Sequence, residues 1–261
     1  MNVMRNTRSM AAVIAVCSAS LLVWNGCGRQ NLSSSTLNPA DQFAAAKKVF
    51  DKKDFFKAKS LFTLLVLNNP AGDTFERAQY YLAESDFGLK EYIEAISEYE
   101  KLIRSMPQSS FVDDSQYKIG LCYYMLAPGY ALDQDYTHKA LAQFQQFLED
   151  FPNSELRPEA EKKLSECRAK LAKKEFATGE LYTKMGYCRA AIISFDVILA
   201  DYYDTPYADK ALFLKGECHL KMGEIESADL AFRTLLVKYP DSPYRSKAEA
   251  KLKKLKPENR G

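Results

Sequence analysis

The chain has 261 residues, enough for one or two domains, and its 47% hydrophobic and 27% charged residues are a globular balance rather than that of a disordered or fibrous chain. The 36 basic and 34 acidic residues leave a net charge of +2, which argues against a nucleic-acid binder with its concentrated positive charge. Only 11 glycines and 10 prolines interrupt long stretches of Ala, Leu, Lys and Glu, so the composition leans helical.

Residues 1–26 read as an export signal. Arg5 and Arg8 make a basic start, and Met10 to Val23 is apolar apart from Ser18 and Ser20. That run is shorter than the roughly 20 residues needed to span a bilayer. Gly26 before Cys27 suits a peptidase that cuts just ahead of the cysteine. The segment resembles a bacterial lipoprotein signal, in which Cys27 receives lipid and becomes the mature N-terminus. Trp24 stands where such signals usually carry Leu, and an ordinary signal peptide with Cys27 a bystander is the alternative. Gly28 rather than Asp follows the cysteine, so the resemblance implies an outer-membrane anchor facing the periplasm. Residues 27–40, with their run of serines, read as a flexible tether.

From residue 41 to 256 one pattern recurs five times. Take Pro70, Pro107, Pro152, Tyr203 and Pro240 as punctuation. Twelve residues before each is alanine: Ala58, Ala95, Ala140, Ala191 and Ala228. Eight before each is aromatic: Phe62, Tyr99, Phe144, Phe195 and Phe232. Five before each is large and apolar: Leu65, Leu102, Phe147, Ile198 and Leu235. Offsets of four and seven place these on one helical face, with the alanine admitting a neighbouring helix and the larger residues filling the contact. Proline then stops the helix. A preceding first helix aligns through Ala46, Ala83 and Gly216. The unit resembles the tetratricopeptide repeat, a helix-turn-helix. The expected fold is all-α: a tetratricopeptide-repeat solenoid of five repeats plus a C-terminal capping helix over Ser242 to Lys256, with 257–261 a disordered tail. Two repeats are long. Repeat 3 carries an insert, Leu126 to Tyr136, and repeat 4 an extended first helix from about Ser154 to Met185.

Signals for catalysis, metals or cofactors are missing from the sequence. His138 and His219 have no ligand spacing and read as surface or packing residues, and no phosphate-binding or nucleophile motif occurs. Cys122, Cys167, Cys188 and Cys218 are expected as buried free thiols, with Cys167 and Cys188 the pair if one forms. The suggestive feature is aromatic. Phe43 and Phe50, Tyr80 and Phe87, and Tyr117 and Tyr124 are pairs seven residues apart, and Phe43, Tyr80 and Tyr117 recur every 37 residues. The row is either inter-repeat core or, as the tetratricopeptide resemblance implies, the lining of a groove for extended peptides. In the second case Lys47, Arg77 and Glu84 supply polar contacts.

The segments "ALDQDYTHKALAQFQQFLEDFPNSE" (Ala131 to Glu155), "KLAKKEFATGELYTKMGYCRAAIISFDVILADYYDT" (Lys170 to Thr205) and "ADKALFLKGECHLKMG" (Ala208 to Gly223) resemble the BamD family of outer-membrane lipoproteins. The repeat 3 insert and the long repeat 4 helix belong to that likeness. It implies a non-catalytic, lipid-anchored scaffold of the outer-membrane β-barrel assembly machine, on the periplasmic face. It further implies that the C-terminal repeats bind the barrel-forming subunit, that other assembly lipoproteins join, and that the N-terminal repeats meet nascent outer-membrane proteins ending in an aromatic residue. The alternatives are a periplasmic repeat protein coordinating envelope constriction and cell-wall synthesis, and a pilus-assembly lipoprotein.

Overall fold

The computed structural model describes residues 38–70 and 74–255. The expected signal, Cys27, most of the tether and the tail lie outside the described residues. Eleven helices and no strand occur among the described residues. Helices α1 (Pro39–Asp51) and α2 (Phe55–Asn68) form the first hairpin, α3 (Phe75–Gly88) and α4 (Tyr92–Ser105) the second, and α5 (Val112–Leu126) and α6 (Asp135–Asp150) the third. Helices α7 (Arg157–Lys184) and α8 (Cys188–Asp201) form the fourth, α9 (Ala208–Lys221) and α10 (Ile225–Lys238) the fifth, and α11 (Arg245–Leu255) closes the stack. Each helix packs on the next in sequence, and α1 also meets α3 and α7 meets α9. This is the expected solenoid of five hairpins and a capping helix.

The three registers read from the sequence form the core. The five alanines and five aromatics are fully buried, and the five large apolar residues are buried to 2% exposure or less. Burying each such aromatic stabilises by about 1.5–3 kcal/mol. Tyr99, the one phenol among the five aromatics, donates its hydroxyl to Glu84. The insert of repeat 3 is the connection between α5 and α6, and α7 is the 28-residue extended helix.

The joints between hairpins explain the recurring small polar residue. Ser109, Ser154 and Ser242 each follow their proline by two. Their hydroxyls accept from the backbone N–H two residues on, at Phe111 (3.2 Å), Leu156 (3.2 Å) and Tyr244 (3.1 Å). This tightens the entry to the next helix, the usual role of a serine in a turn. At the Tyr203 joint, Thr205 instead donates to the carbonyl of Tyr202 at 2.7 Å.

The turn within a hairpin needs a left-handed residue. Gly186 and Gly223 supply it in repeats 4 and 5, with φ of 83° and 77°. Lys53 and Lys90 hold the same place in repeats 1 and 2, at φ 62° and 65°. Asp54, directly after Lys53, caps α2 by accepting from the Lys57 N–H at 3.2 Å.

All four described cysteines are buried and free. Cys122 packs with Tyr99 and Ile119, Cys167 with Tyr117 and Phe144, and Cys188 with Cys218 and Phe195. Cys167 and Cys188 therefore sit in separate cores, and the cysteine that shares the core of Cys188 is Cys218.

Candidate functional site

The first helices of successive hairpins share a face, and the aromatic row lies along it. Phe43 and Tyr117 are buried, while Phe50, Tyr80, Phe87 and Tyr124 are half-buried. Phe43 packs on Phe62 and Tyr81, with ring centroids 5.8 Å apart in both cases. Tyr117 packs on Phe144 and Phe147 at the same spacing. Tyr80 stacks on Phe111 at 4.6 Å, and that residue opens the next repeat. Phe176 and Tyr207, at 5.4 Å, and Phe213 and Tyr244, at 5.2 Å, repeat this arrangement further along. Burial, with Glu84 and Asp114 nearby, raises the Tyr80 phenol far above its ordinary range.

A second row stands two helical turns along, at Phe50, Phe87 and Tyr124. Here cations cover the rings. Lys47 lies 5.8 Å from the Phe50 centroid, Lys118 lies 4.8 Å from that of Phe87, and Lys163 lies 4.2 Å from that of Tyr124. Each cation is also held by a carboxylate: Lys47 by Asp51 at 2.5 Å, Lys118 by Glu84 at 2.7 Å and Lys163 by Glu166 at 2.8 Å. Tyr124 donates to Glu166 at 2.8 Å, which raises the phenol's pKa, with burial adding to the effect. Burial works against the Glu166 carboxylate, but Lys163 and Tyr124 outweigh it and hold its pKa below the ordinary range. The outcome is a ladder of ring, cation and acid trios, to which Lys47 and Glu84, named from the sequence as polar contacts, contribute.

Arg77 is exposed, and its guanidinium stacks 4.1 Å over the Phe43 ring. With Lys47, Lys48 and Lys52 it borders a cavity of about 570 Å³ on α1. A slightly larger hollow of about 610 Å³, bordered by Pro206, Lys210, Pro240 and Tyr244, is the crease between the last two joints. The α1 cavity is the one that coincides with the aromatic row.

The structure thus brings Phe43, Lys47, Phe50 and Arg77 together at one end, and Tyr80, Glu84 and Phe87 in the next repeat. Tyr117 and Tyr124 follow in the third. Lys118, Lys163 and Glu166 do not stand out in the sequence, because surface charges on a helix carry no mark of the ring they cover. Phe176 escapes the pattern because the long α7 breaks the 37-residue interval. Among the described residues no cluster of His, Cys, Asp and Glu has metal-binding geometry, and no helix is long and apolar enough to cross a membrane.

Stacked hairpins with a polar-edged aromatic face define the class: a tetratricopeptide-type solenoid. Known proteins narrow that class. The chain belongs to the YfiO family, described as outer membrane lipoprotein, whose sequence model matches residues 36–231. It is similar to the outer membrane protein assembly factor BamD of Rickettsia prowazekii (strain Madrid E), 26% identical over 211 residues covering 80% of this chain and 82% of that protein. It is also similar to the outer membrane protein assembly factor BamD of Caulobacter vibrioides, 26% identical over 163 residues covering 62% of this chain and 53% of that protein. The BamD resemblance carried by Ala131 to Gly223 is upheld. Similar solved structures include the TPR2AB-domain:pHSP90 complex of yeast Sti1, at 16% identity, TM-score 0.43 and coverage of 83% of this chain and 84% of that one. Another is a thermophilic TPR protein of Thermus thermophilus, at 16% identity, TM-score 0.36 and coverage of 84% and 98%. The fold assignment itself rests on the five hairpins.

Proposed function

We propose that the chain is a non-catalytic assembly factor for outer-membrane proteins, held at the periplasmic face of the outer membrane by lipid on Cys27. The observation that carries this reading is the family match over residues 36–231, together with the two assembly-factor relatives. In this reading residues 1–26 are removed, 27–40 tether the solenoid, and repeats 4 and 5 hold the barrel-forming subunit. Other assembly lipoproteins complete the machine. The first-helix face of repeats 1 to 3 receives extended segments of nascent outer-membrane proteins. Its half-buried rings Phe50, Phe87 and Tyr124 offer apolar and cation-lined contacts, and Phe43, Lys47, Arg77, Tyr80, Glu84 and Tyr117 frame them.

The test is affinity purification of the tagged full-length protein from detergent-solubilised envelopes, with mass spectrometry of the co-purifying proteins. Recovery of a barrel protein bearing repeated periplasmic domains supports the reading. Recovery of cell-wall synthases or a pilus secretin in its place overturns it. For the peptide face, Phe87→Ala and Tyr124→Ala each lower affinity for an extended peptide ending in an aromatic residue by roughly tenfold, about 1.4 kcal/mol. These positions are better probes than Tyr117, because truncating that buried ring empties the core against Phe144 and Phe147. Unchanged peptide affinity in both variants, with helicity intact, would sink the groove.

A further inference from the structure

We propose that Cys188 and Cys218 are a redox pair whose disulfide staples repeat 4 to repeat 5. Cys188 is the first residue of α8, the second helix of repeat 4, and Cys218 lies in α9, the first helix of repeat 5. Their side chains share one buried cluster, which holds no other described cysteine. The other two described cysteines are each alone in a different core, Cys122 between α3, α4 and α5, and Cys167 between α5, α6 and α7. Proximity therefore selects one pairing of the three that involve Cys188.

The two thiols differ in access. Cys218 is fully buried, and its Sγ lies 3.7 Å from the Thr183 hydroxyl. Burial pushes the Cys218 thiol up to about 11, so it is protonated at neutral pH. Cys188 is 6% exposed and borders a cavity of about 510 Å³, open to solvent, that Arg189 and Lys221 also line. Cys188 is therefore the thiol that an oxidant entering the cavity reaches first, and the thiolate is the nucleophile. The order of events follows. Cys188, as thiolate, attacks a small or protein disulfide; its Sγ bonds to one sulfur and the other leaves as thiolate. Cys218 then loses its proton and attacks the Cys188 Sγ, and the second sulfur of the oxidant leaves. The two cysteines lose two electrons and two protons, and one disulfide oxidant is reduced to two thiols.

The consequence is mechanical. In a solenoid each repeat is held only by its neighbours, so successive repeats can open at the joint. A bond from α8 to α9 closes that option between the repeats proposed to hold the barrel-forming subunit. In cells the oxidation rests on the periplasmic placement proposed above; the thiol geometry does not.

The experiment uses the full-length chain. Purified protein is equilibrated with oxidised glutathione, denatured, alkylated, then reduced and labelled with a second reagent, and the peptides are read by mass spectrometry. Cys122 and Cys167 are expected to carry the first label, and Cys188 and Cys218 the second. The oxidised form should also unfold at a higher temperature than the reduced form, a difference lost in Cys188→Ser and Cys218→Ser. First label on all four, glutathione left on Cys188, or a linked peptide joining Cys167 overturns the pair, whatever the compartment. The same labelling on freshly lysed cells, blocked at once, tests the location. Closure there supports both readings; closure in the purified protein but free thiols in cells leaves the pair standing and overturns the periplasmic placement.

Discussion

Gly216 stands sixteen residues before Phe232 and packs against it, so Gly216→Ala tests how tightly the fifth hairpin is closed. An added Cβ would lie 2.6 Å from Cε1, 2.8 Å from Cζ and 3.0 Å from Cδ1 of that ring. Comfortable carbon contacts begin at about 3.5 Å, so the ring must retreat by the better part of an ångström. Phe232 is fully enclosed, with Phe213 at a centroid distance of 5.7 Å, and has no open side. Overpacking of this kind costs about 1–3 kcal/mol, and the three short approaches argue for the upper half. Alanine returns about 1 kcal/mol through its helix propensity. The expected net loss is about 1–2 kcal/mol. Repeats 1 and 2 carry Ala46 and Ala83 sixteen residues before the buried Phe62 and Tyr99, so the strain belongs to the repeats that hold glycine at this place, as Gly179 does before Phe195, and not to the repeat pattern as a whole. Phe232→Leu removes the clashing ring edge. In a double-mutant cycle the pair should therefore be less destabilised than the sum by about 1 kcal/mol. Urea unfolding followed by circular dichroism measures both, as midpoint shifts at unchanged slope. A stabilised Gly216→Ala, or strictly additive losses, would refute the close-packing argument.

Three further outcomes are expected. Asp86 is 1% exposed and lies 2.7 Å from Lys59 Nζ, an ion pair poorly directed for a hydrogen bond. Lys59→Met strands that carboxylate and should cost about 3 kcal/mol, while Lys59→Met with Asp86→Leu recovers most of it, both by urea unfolding. Burial already raises the Asp86 pKa, with Lys59 offsetting part, so the single variant should regain stability as pH falls toward that raised value. Arg168 grips Asp204 through Nε and Nη2, at 2.6 to 3.1 Å, and holds its carboxyl below the ordinary range. Its contribution is present above the unfolded carboxylate pKa and is lost as pH falls through the lowered folded one. On this half-exposed pair it amounts to about 0.5–1 kcal/mol, and Asp204→Asn should flatten that acid slope in thermal melts. Lys53→Gly and Lys90→Gly relieve left-handed backbone and should each stabilise by roughly 1 kcal/mol, seen as raised unfolding midpoints.

The sequence carries the hairpin core plainly because its period is set by covalent geometry. Ala95, Tyr99 and Leu102 must share a face if the segment is helical, and the same is true in every repeat. The turns are less legible. Lys53 and Lys90 give no hint that their place demands a positive φ; only Gly186 and Gly223, 37 residues apart in the later repeats, betray it. The shared core of Cys188 and Cys218 is obscured for a related reason. Cys167 and Cys188 are the nearer two in sequence, but 28-residue α7 is straight helix over most of the interval and carries Cys167 into the preceding core. Separation along a helix is distance, whereas separation across a repeat is often proximity.

The aromatic row shows where periodicity stops being informative. Tyr80 and Phe87 share a helix face, and both repeat at the same interval, so no count of spacings separates them. Their neighbours do. Tyr80 is covered by Phe111 from the following joint, as Phe176 is by Tyr207 and Phe213 by Tyr244, so this row bonds one repeat to the next. Phe87 is covered by Lys118, and Tyr124 by Lys163, each cation held by a carboxylate. An apolar cover is permanent, since removing it exposes two hydrophobic faces to water. A cationic cover on a half-exposed ring is worth only about 0.5–1 kcal/mol and is exchangeable for another partner. The rings at Tyr80, Phe176 and Phe213 thus help hold neighbouring repeats together, and under the proposed peptide-binding reading Phe87 and Tyr124 are where an extended chain would exchange with the cationic cover.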